Sequence, residues 1–289
     1  MAEFDPSLSR VAIIAGNGIL PGEIYREMQK NKQNPLLIGI SGEVSEDLRD
    51  IAAEVLSYGQ LSKLFELLSK QDIKHAIFAG GITKRPDFTK LKLDLNTLKE
   101  VPTLVKIMMG GDNSILAKIS DFFAKKGITI VGAHQVVPSL LAPHGIICGK
   151  PAKKVIMPVV EKAFKAAKAI GAIDVGQAAI AEDSRVIALE AAEGTDAMIH
   201  RVAQLRNSGR LSLTPKIGVL AKAMKPKQDM RADLPAIGPD TIDSVVGAGL
   251  SGIAIEAGRS LILDRVETIK RANAKKIFII GVTLEDFPS

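Results

Sequence analysis

The stretch VAIIAGNGILPGEIYREMQK, residues 11–30, decides how the chain begins to fold. A run of branched apolar residues ends at Gly16, and a helical pattern starts at Pro21, where the first turn of a helix tolerates proline. This order predicts a strand, a glycine turn and a helix. Helical patterns such as LSKLFELLSK separate the further apolar runs at 36–40, 75–80 and 128–132. Strands that alternate with helices predict a mainly parallel sheet.

The second half of the chain shows a similar alternation after a break in the pattern. Residues 134–158 contain four prolines, no acidic residue and no sustained periodicity, which is typical of an interdomain connection. Strands are predicted at 177–181, 186–191, 216–221, 252–256 and 276–282, and helices at 159–170, 195–206, 239–248 and 259–273.

We therefore predict an α/β protein with two α/β domains joined by a Pro/Gly-rich linker, and a ligand cleft between the domains. Residues 1–134 form a Rossmann-like domain with a parallel sheet, residues 135–158 the linker, and residues 159–289 a mixed α/β domain.

Composition excludes several classes of protein. The net charge of +6 comes partly from three lysines in residues 136–158, while the stretches on either side are nearly balanced. With two tyrosines and no tryptophan to stack on bases, no nucleic-acid partner is expected. Cys148 is the single cysteine, no signal peptide is recognisable, and no apolar run is long enough to span a bilayer. We expect a cytoplasmic protein.

The first glycine turn contains Gly16, Asn17 and Gly18, where a strand meets a helix. Glycines allow close approach, and a helix N-terminus attracts phosphate, so backbone amides here could bind a pyrophosphate. The dinucleotide fingerprint G-x-G-x-x-G is broken by Pro21, and no acid ends the second strand at IGIS, residues 38–41. A tight turn without a ligand remains the alternative.

A second glycine turn, AGGITKRPDF, residues 79–88, carries Thr83, Lys84 and Arg85 after another predicted strand. Basic side chains beside such a turn suit a phosphate group, and the carboxyl ends of parallel strands are where open sheets bind ligands. A third segment, GGDNSIL at 110–116, is best explained by ordinary helix capping.

Polar residues also occupy unusual positions in the second half. Asp174 and Gln177 precede a strand, Glu190 lies in the next strand, and Thr195 and Asp196 follow it. Carboxylates in apolar strands need a partner or a function. Substrate contact and simple helix capping are equally good explanations for Thr195 and Asp196.

The densest polar segment is KPKQDMRADLPAIG, from Lys225 to Gly238. Asp229, Arg231 and Asp233 alternate there, so an extended chain would point them to one side and a turn would cluster them. Ionised carboxylates of this kind could hold a divalent cation or activate water. A surface loop with exposed ion pairs is the alternative.

Other catalytic signatures are missing from the sequence. The four histidines show no zinc spacing, and the chain lacks both the G-x-S-x-G elbow and the G-x-x-x-x-G-K-[ST] loop.

Taken in order, these motifs resemble those of the LpxI-type UDP-2,3-diacylglucosamine pyrophosphatases of bacterial lipid A synthesis. The resemblance runs from end to end and rests on IAGNGILP, GGITKRPDF, GGDNSIL, GAHQVVPSLLAPHG, DVGQAAI, EAAEGTDAM, KPKQDMRADLPAIG and GLSGIAIEAGRSLILDR. It implies a cytoplasmic Mg²⁺-dependent hydrolase that cleaves UDP-2,3-diacylglucosamine to UMP and 2,3-diacylglucosamine 1-phosphate. A nucleotide-dependent oxidoreductase and a noncatalytic nucleotide-sugar binding protein remain alternatives.

The resemblance also implies roles for individual residues. It makes residues 159–289 the catalytic domain and assigns catalysis to Asp233 in the R-x-D-L-P part of the motif, with Asp233 and, less firmly, Asp229 as metal ligands. The implied substrate-binding residues are Gly16, Asn17, Gly18, Thr83, Lys84, Arg85, Asp174, Gln177, Glu190, Thr195, Asp196, Lys225 and Arg231. We further expect a homodimer and a peripheral contact between the basic, apolar residues 140–157 and the inner membrane.

Overall fold

The computed structural model describes residues 10–83, 95–108, 112–183, 185–212, 217–226, 228–231 and 234–287. The chain divides into two units. The first comprises Met1–Pro138 together with Asp229–Asp233, and the second comprises Ser139–Gln228 and Leu234–Ser289. A short segment of the second half of the sequence is therefore part of the first unit.

The first unit is built on a parallel sheet. Its described strands are β1 (Ala12–Ala15), β2 (Leu36–Ile40), β3 (Glu54–Leu56), β4 (His75–Ala79) and β5 (Thr129–Ile130). They pair in parallel in the order β3-β2-β1-β4-β5. The central β1 is buried along its whole length, as expected for a strand covered on both faces. The predicted parallel sheet is confirmed.

Helices follow the strands of the first unit. They are α1 (Leu20–Lys30), α2 (Glu46–Arg49), α3 (Leu61–Lys70), α4 (Leu95–Met108), α5 (Asp112–Lys125) and α6 (Ala133–Val136). Phe123 of α5 packs its ring 5.0 Å from that of Phe65 and 5.2 Å from that of Phe78. Phe122 is also buried, so the two adjacent phenylalanines both belong to the core of the first unit.

The second unit contains a mixed sheet. Its strands are β6 (Gly145–Cys148), β7 (Ala178–Glu182), β8 (Arg185–Leu189), β9 (Gly218–Lys222), β11 (Gly252–Glu256) and β13 (Phe278–Val282), in the order β6-β13-β11-β9-β7-β8. The strands β9, β11 and β13 are parallel, whereas β6 and β7 run antiparallel to their neighbours. A separate parallel pair consists of β10 (Ala236–Ile237) and β12 (Leu261–Ile262). The predicted mixed α/β architecture is confirmed.

The helices of the second unit differ from the prediction at two ends. They are α7 (Lys153–Ala172), α8 (Gly194–Asn207), α9 (Pro239–Gly247) and α10 (Arg265–Ala274). Helix α7 begins six residues before the predicted position 159 and includes Pro158. Proline lacks the amide donor of a helix hydrogen bond, which costs free energy. The burial of Ile156 and Val160 on the same helix stabilises it and offsets this cost.

The helix predicted over residues 259–273 was wrong at its start. Residues Leu261–Ile262 form β12, and α10 begins only after Asp264, whose side chain accepts a hydrogen bond from the Glu267 amide. Strand pairing with β10 and this N-cap together decide the boundary.

The predicted linker, residues 135–158, contains β6 and the first turns of α7. The predicted domain boundaries stay a prediction. No helix among the described residues is both long enough and apolar enough to cross a membrane.

Phe164 provides a test of the second unit's core. Its side chain is fully buried on α7. We expect Phe164→Ala to lower the free energy of unfolding by about 3–5 kcal/mol, because the truncation removes apolar contacts and leaves a cavity. Chemical denaturation followed by circular dichroism measures the change. Val266→Ala, at a side chain that is 81% exposed, should change stability little, and equal losses in both variants would contradict this assignment.

Candidate active site

In the first unit, two glycine turns leave neighbouring strands at the same edge of the sheet. Residues 16–18 follow β1 and residues 80–83 follow β4, its direct neighbour. Because the strands are parallel, their carboxyl ends lie together, at the edge where open α/β sheets bind ligands.

The two turns pair with each other through the backbone. The Asn17 amide donates to the Gly81 carbonyl at 2.9 Å, and the Gly81 amide donates back to the Asn17 carbonyl at 3.0 Å. The Gly16 amide donates to the Ala79 carbonyl at 2.8 Å. These bonds engage the Gly16 and Asn17 amides within the protein, and the substrate contact predicted for Gly16, Asn17 and Gly18 stays a prediction.

Glycine is required at two of these positions because the backbones approach so closely. A Cβ atom on Gly16 would lie 2.3 Å from the Gly81 carbonyl oxygen, and one on Gly80 would lie 2.2 Å from the Asn17 carbonyl oxygen. Gly80 also has φ +86°, a left-handed conformation that favours glycine. The glycines of this edge are therefore explained by backbone packing as well as by any ligand.

An acidic residue that the sequence analysis missed connects these turns. Glu43 lies three residues after β2, and its carboxylate accepts hydrogen bonds from the Thr83 amide at 3.0 Å, the Thr83 hydroxyl at 2.8 Å and the Asn17 side-chain amide at 3.3 Å. The structure thus brings the side chains of Asn17 and Thr83 together, while their predicted contact with the substrate stays a prediction. The neighbouring Lys84 and Arg85 lie outside the described residues.

The described part of the segment Asp229–Asp233 forms a tight turn. The Asp229 carboxylate accepts hydrogen bonds from the Arg231 backbone amide at 2.9 Å and from the Arg231 guanidinium at 2.6 and 3.0 Å. The guanidinium bonds hold the pKa of Asp229 below its usual value despite partial burial. Of the two arrangements left open by the sequence, Asp229 and Arg231 show the turn that clusters them, whereas Asp233 lies outside the described residues.

The turn at Arg231 lies close to the segment that follows β5. A Cβ atom on Gly132 would lie 3.0 Å from Cα of Arg231 and 2.5 Å from the ring of His134. Among the described residues, Nδ1 of His134 is buried without a hydrogen-bond partner, and burial lowers the pKa of His134. Arg231 is thus placed at the carboxyl edge of the first unit's sheet, near the ring of His134.

In the second unit, Gln177 and Glu190 lie at one edge of the mixed sheet. Strand β8 runs parallel to β9 because both are antiparallel to β7, so the end of β8, the end of β9 and the start of β7 coincide. The buried Glu190 carboxylate accepts hydrogen bonds from the Gln177 amide and the Thr195 hydroxyl, both at 2.9 Å. Oε1 of Gln177 is buried and has no hydrogen-bond partner in the described part of the chain. Such an acceptor suits contact with a ligand donor or a water.

Lys225 lies just beyond β9 at the same edge. Its ammonium group donates to the Asp174 carboxylate at 2.8 Å, and its backbone amide donates to the Gln228 side chain at 3.0 Å. Asp196 is exposed in the first turn of α8, where its charge is favourable for the helix dipole. The structure therefore brings Asp174 and Lys225 together, and Gln177, Glu190 and Thr195 together.

Buried charges that the sequence analysis missed hold both ends of the segment around Lys225–Gly238. Glu256 accepts hydrogen bonds from the Met224 amide at 2.8 Å and the Lys168 ammonium at 3.1 Å, and Lys168 also donates to the Met224 carbonyl. Further along, the buried Lys222 ammonium donates to the Ala236 carbonyl at 2.8 Å. The available sequence signal was a charged residue in the last position of an apolar strand, which both Lys222 and Glu256 occupy.

The described residues do not by themselves form a metal site. In the ranges that the structure covers, no three His, Cys, Asp or Glu side chains cluster closely enough to hold an ion. Asp229, a predicted metal ligand, is bound by the Arg231 guanidinium. Any ion would therefore take most of its ligands from the substrate, from water or from residues outside the described ranges.

Comparisons with known proteins match nearly the whole chain. The family model of the LpxI N-terminal domain matches residues 10–140, and that of the LpxI C-terminal domain matches residues 143–280. The UDP-2,3-diacylglucosamine pyrophosphatase LpxI of Caulobacter vibrioides is 35% identical over 281 residues, which cover 97% of this chain and 100% of that protein.

The pairing of the glycine turns predicts that Gly16→Ala is destabilising. The added methyl group would overlap the Gly81 carbonyl, so the two turns must separate, and we expect the thermal unfolding temperature of the first unit to fall by several degrees. Gly247→Ala is the control, because a Cβ atom there meets nothing within 4 Å and alanine favours helix. An unchanged unfolding temperature for Gly16→Ala would contradict the close approach of the turns.

The ion pair of Asp229 predicts a pH dependence of stability. Because the folded-state pKa of Asp229 is lowered, the pair stabilises the protein above the unfolded-state pKa of about 3.9, and this contribution disappears as the pH falls through the folded-state pKa. We expect thermal unfolding of wild type and Asp229→Asn to differ most near neutral pH and to converge below about pH 4. Asp72→Asn, in a surface pair whose carboxylate is 81% exposed, should show little difference at any pH. A constant difference for Asp229→Asn would refute the pairing.

Proposed function

The chain belongs to the LpxI family, and from this premise we propose that it hydrolyses the pyrophosphate bond of UDP-2,3-diacylglucosamine. Water adds to one phosphorus and the bridging P–O bond breaks, which gives UMP and 2,3-diacylglucosamine 1-phosphate. The observation that carries this proposal is the match of both domains, in order, to the two halves of one enzyme family. It places the protein in lipid A biosynthesis as a hydrolase that acts on a phosphoric anhydride.

We propose Asp233 as the catalytic residue, which orients the attacking water or contacts the metal ion. The support is its place in the R-x-D-L-P motif, two residues after Arg231. Arg231 itself lies beside Gly132 at the carboxyl edge of the first unit's sheet, where ligands of such sheets bind. Its guanidinium, paired with Asp229, offers the charge that a diphosphate needs.

We propose that the remaining predicted residues bind the substrate from their own units. In the first unit, the Thr83 turn and the Asn17 side chain present polar groups at the edge of the sheet. In the second unit, the free acceptor of Gln177 suits a donor group of the substrate, and Lys225 suits a phosphate oxygen. Asp174, Glu190 and Thr195 hold these two residues in place through the hydrogen bonds described above.

We propose that the reaction requires Mg²⁺. When bound, Mg²⁺ neutralises the nonbridging oxygens of a diphosphate and stabilises the leaving phosphate. The support comes from the substrate, because Mg²⁺ is commonly held by one or two carboxylates, water and substrate phosphates and needs no complete protein cage. Asp233 is the carboxylate that we propose to bind Mg²⁺, and Asp229 is a second candidate ligand.

The homodimer, the cytoplasmic location and the peripheral membrane contact stay predictions. Ile146 and Val155, within the stretch predicted to touch the inner membrane, are 40% and 57% exposed, and lysines 150 and 154 lie nearby in the sequence. Exposed apolar side chains among basic residues suit an anionic lipid surface.

The proposed role of Asp233 predicts that Asp233→Asn reduces turnover by at least about 100-fold while the substrate still binds, because the change keeps the shape of the side chain and removes its charge. Asp72→Asn is the matched control, since that carboxylate is exposed on the surface of the first unit and forms only a surface pair. The measurement is UMP release from UDP-2,3-diacylglucosamine, with substrate binding followed separately. Near-normal turnover of Asp233→Asn would exclude the assignment.

The same assay tests the metal and the alternative functions. UMP release should cease after treatment with EDTA and return when Mg²⁺ is added. A noncatalytic binding protein would bind the UDP-lipid without releasing UMP. An oxidoreductase would instead show cofactor absorbance or fluorescence in the purified protein.

A further inference from the structure

Glu43 spans three segments of the first unit. It follows β2, and its contacts are Asn17, which follows β1, and Thr83, which follows β4. Because β1 lies between β2 and β4 in the sheet, the carboxylate reaches across the end of β1 to hold a turn two strands away.

Both oxygens of this carboxylate are in use. The Thr83 amide donates to Oε1 at 3.1 Å and to Oε2 at 3.0 Å, while the Thr83 hydroxyl and the Asn17 side chain donate to Oε2. The Asn17 side chain also donates to the Thr83 hydroxyl at 3.1 Å. A carboxylate offers about four lone-pair sites to such donors, and charge-assisted bonds of this kind are stronger than neutral ones.

Burial does not hold the Thr83 turn in place. Gly81, Ile82 and Thr83 are exposed, and Ile82 exposes 52% of its surface. The conformation of this turn therefore depends on hydrogen bonds, and Glu43 accepts those of both the amide and the hydroxyl of Thr83. Burial and the charge of the Glu43 carboxylate raise the pKa of Tyr58 to about 12.

Glu43 also differs from the acid of a dinucleotide-binding fold. In that fold an acidic residue after the second strand binds the ribose hydroxyls. Here the acid after β2 is directed to protein donors, and both its oxygens are already engaged. The position is thus used to join two turns, not to bind a ribose directly.

We propose that Glu43 is a positioning residue that fixes the Thr83 turn and the Asn17 side chain in one arrangement for binding the nucleotide-sugar diphosphate. The inference rests on the proposed function, in which this edge of the first unit binds UDP-2,3-diacylglucosamine. Glu43 acts through Asn17 and Thr83 and need not touch the substrate. Its loss should weaken binding without slowing the chemical step.

The test compares Glu43→Gln with wild type. The glutamine keeps the size of the side chain but replaces one acceptor oxygen by a donor, so the bonds to Asn17 and Thr83 cannot all form. We expect KM for UDP-2,3-diacylglucosamine to rise by about tenfold or more and kcat to change by less than about threefold. Calorimetry should show a similar loss of affinity, and hydrogen exchange in residues 80–83 should become faster.

Glu54→Gln is the matched control. Glu54 lies on β3 of the same unit, where it pairs with Lys63 at 2.7 Å on the surface, away from the glycine turns. We expect this variant to retain wild-type KM, kcat and exchange. Thermal unfolding of both variants establishes that they are folded when they are compared.

Three outcomes would overturn the inference. Unchanged exchange in residues 80–83 would show that Glu43 does not hold the turn. Faster exchange with unchanged KM and affinity would leave Glu43 a purely structural role, and a loss of kcat alone would place its effect on the chemical step. A wild-type protein that releases no UMP would refute the proposed reaction and not this inference, since affinity and exchange are measured without turnover.

Discussion

The close approach of two backbone turns is the constraint on which the first unit's edge depends. Gly16 and Gly80 allow the turns after the parallel strands β1 and β4 to approach so closely that Asn17 and Gly81 exchange both backbone hydrogen bonds as an antiparallel bridge. A side chain at either glycine would force the turns apart. This pairing determines where the side chains of Asn17 and Thr83 lie, and hence where Glu43 can bind them.

In the second unit, buried charged side chains bind the backbone at both ends of one chain segment. Lys222 and the pair Glu256 and Lys168 are largely withdrawn from water, and their partners are backbone groups at the two ends of the Met224–Ala236 stretch. Buried charged groups are strongly destabilising when they lose their partners, so these contacts fix Met224 and Ala236 at the two ends of the stretch. The middle of the stretch, Asp229–Asp233, belongs to the first unit, while its ends are fixed in the second.

The small number of polar side chains at the two sheet edges agrees with the demands of pyrophosphate hydrolysis. That reaction depends on placing the water and neutralising the phosphate oxygens, with few covalent steps for the protein to perform. Most of the polar residues that we describe bind other residues of the protein, as Glu43, Glu190, Glu256 and Asp174 do. These carboxylates hold neighbouring groups in place, among them the backbone amide of Gln177 and the ammonium group of Lys225.

Local pattern by itself determined the architecture. Branched apolar runs separated by helical patterns were sufficient to predict the parallel sheet of the first unit and the α/β character of the second. This works because the side-chain periods of a helix and of a strand both follow from backbone geometry. The ordered motifs likewise led to the family. The start of α10 could not be predicted from local pattern alone. Asp264 is a local N-cap signal, but residues 261–262 form a strand only because β12 pairs with β10. Glu43 and Glu256 were missed for a related reason: each binds residues that are distant in the sequence, and only the tertiary fold brings those partners within hydrogen-bonding distance.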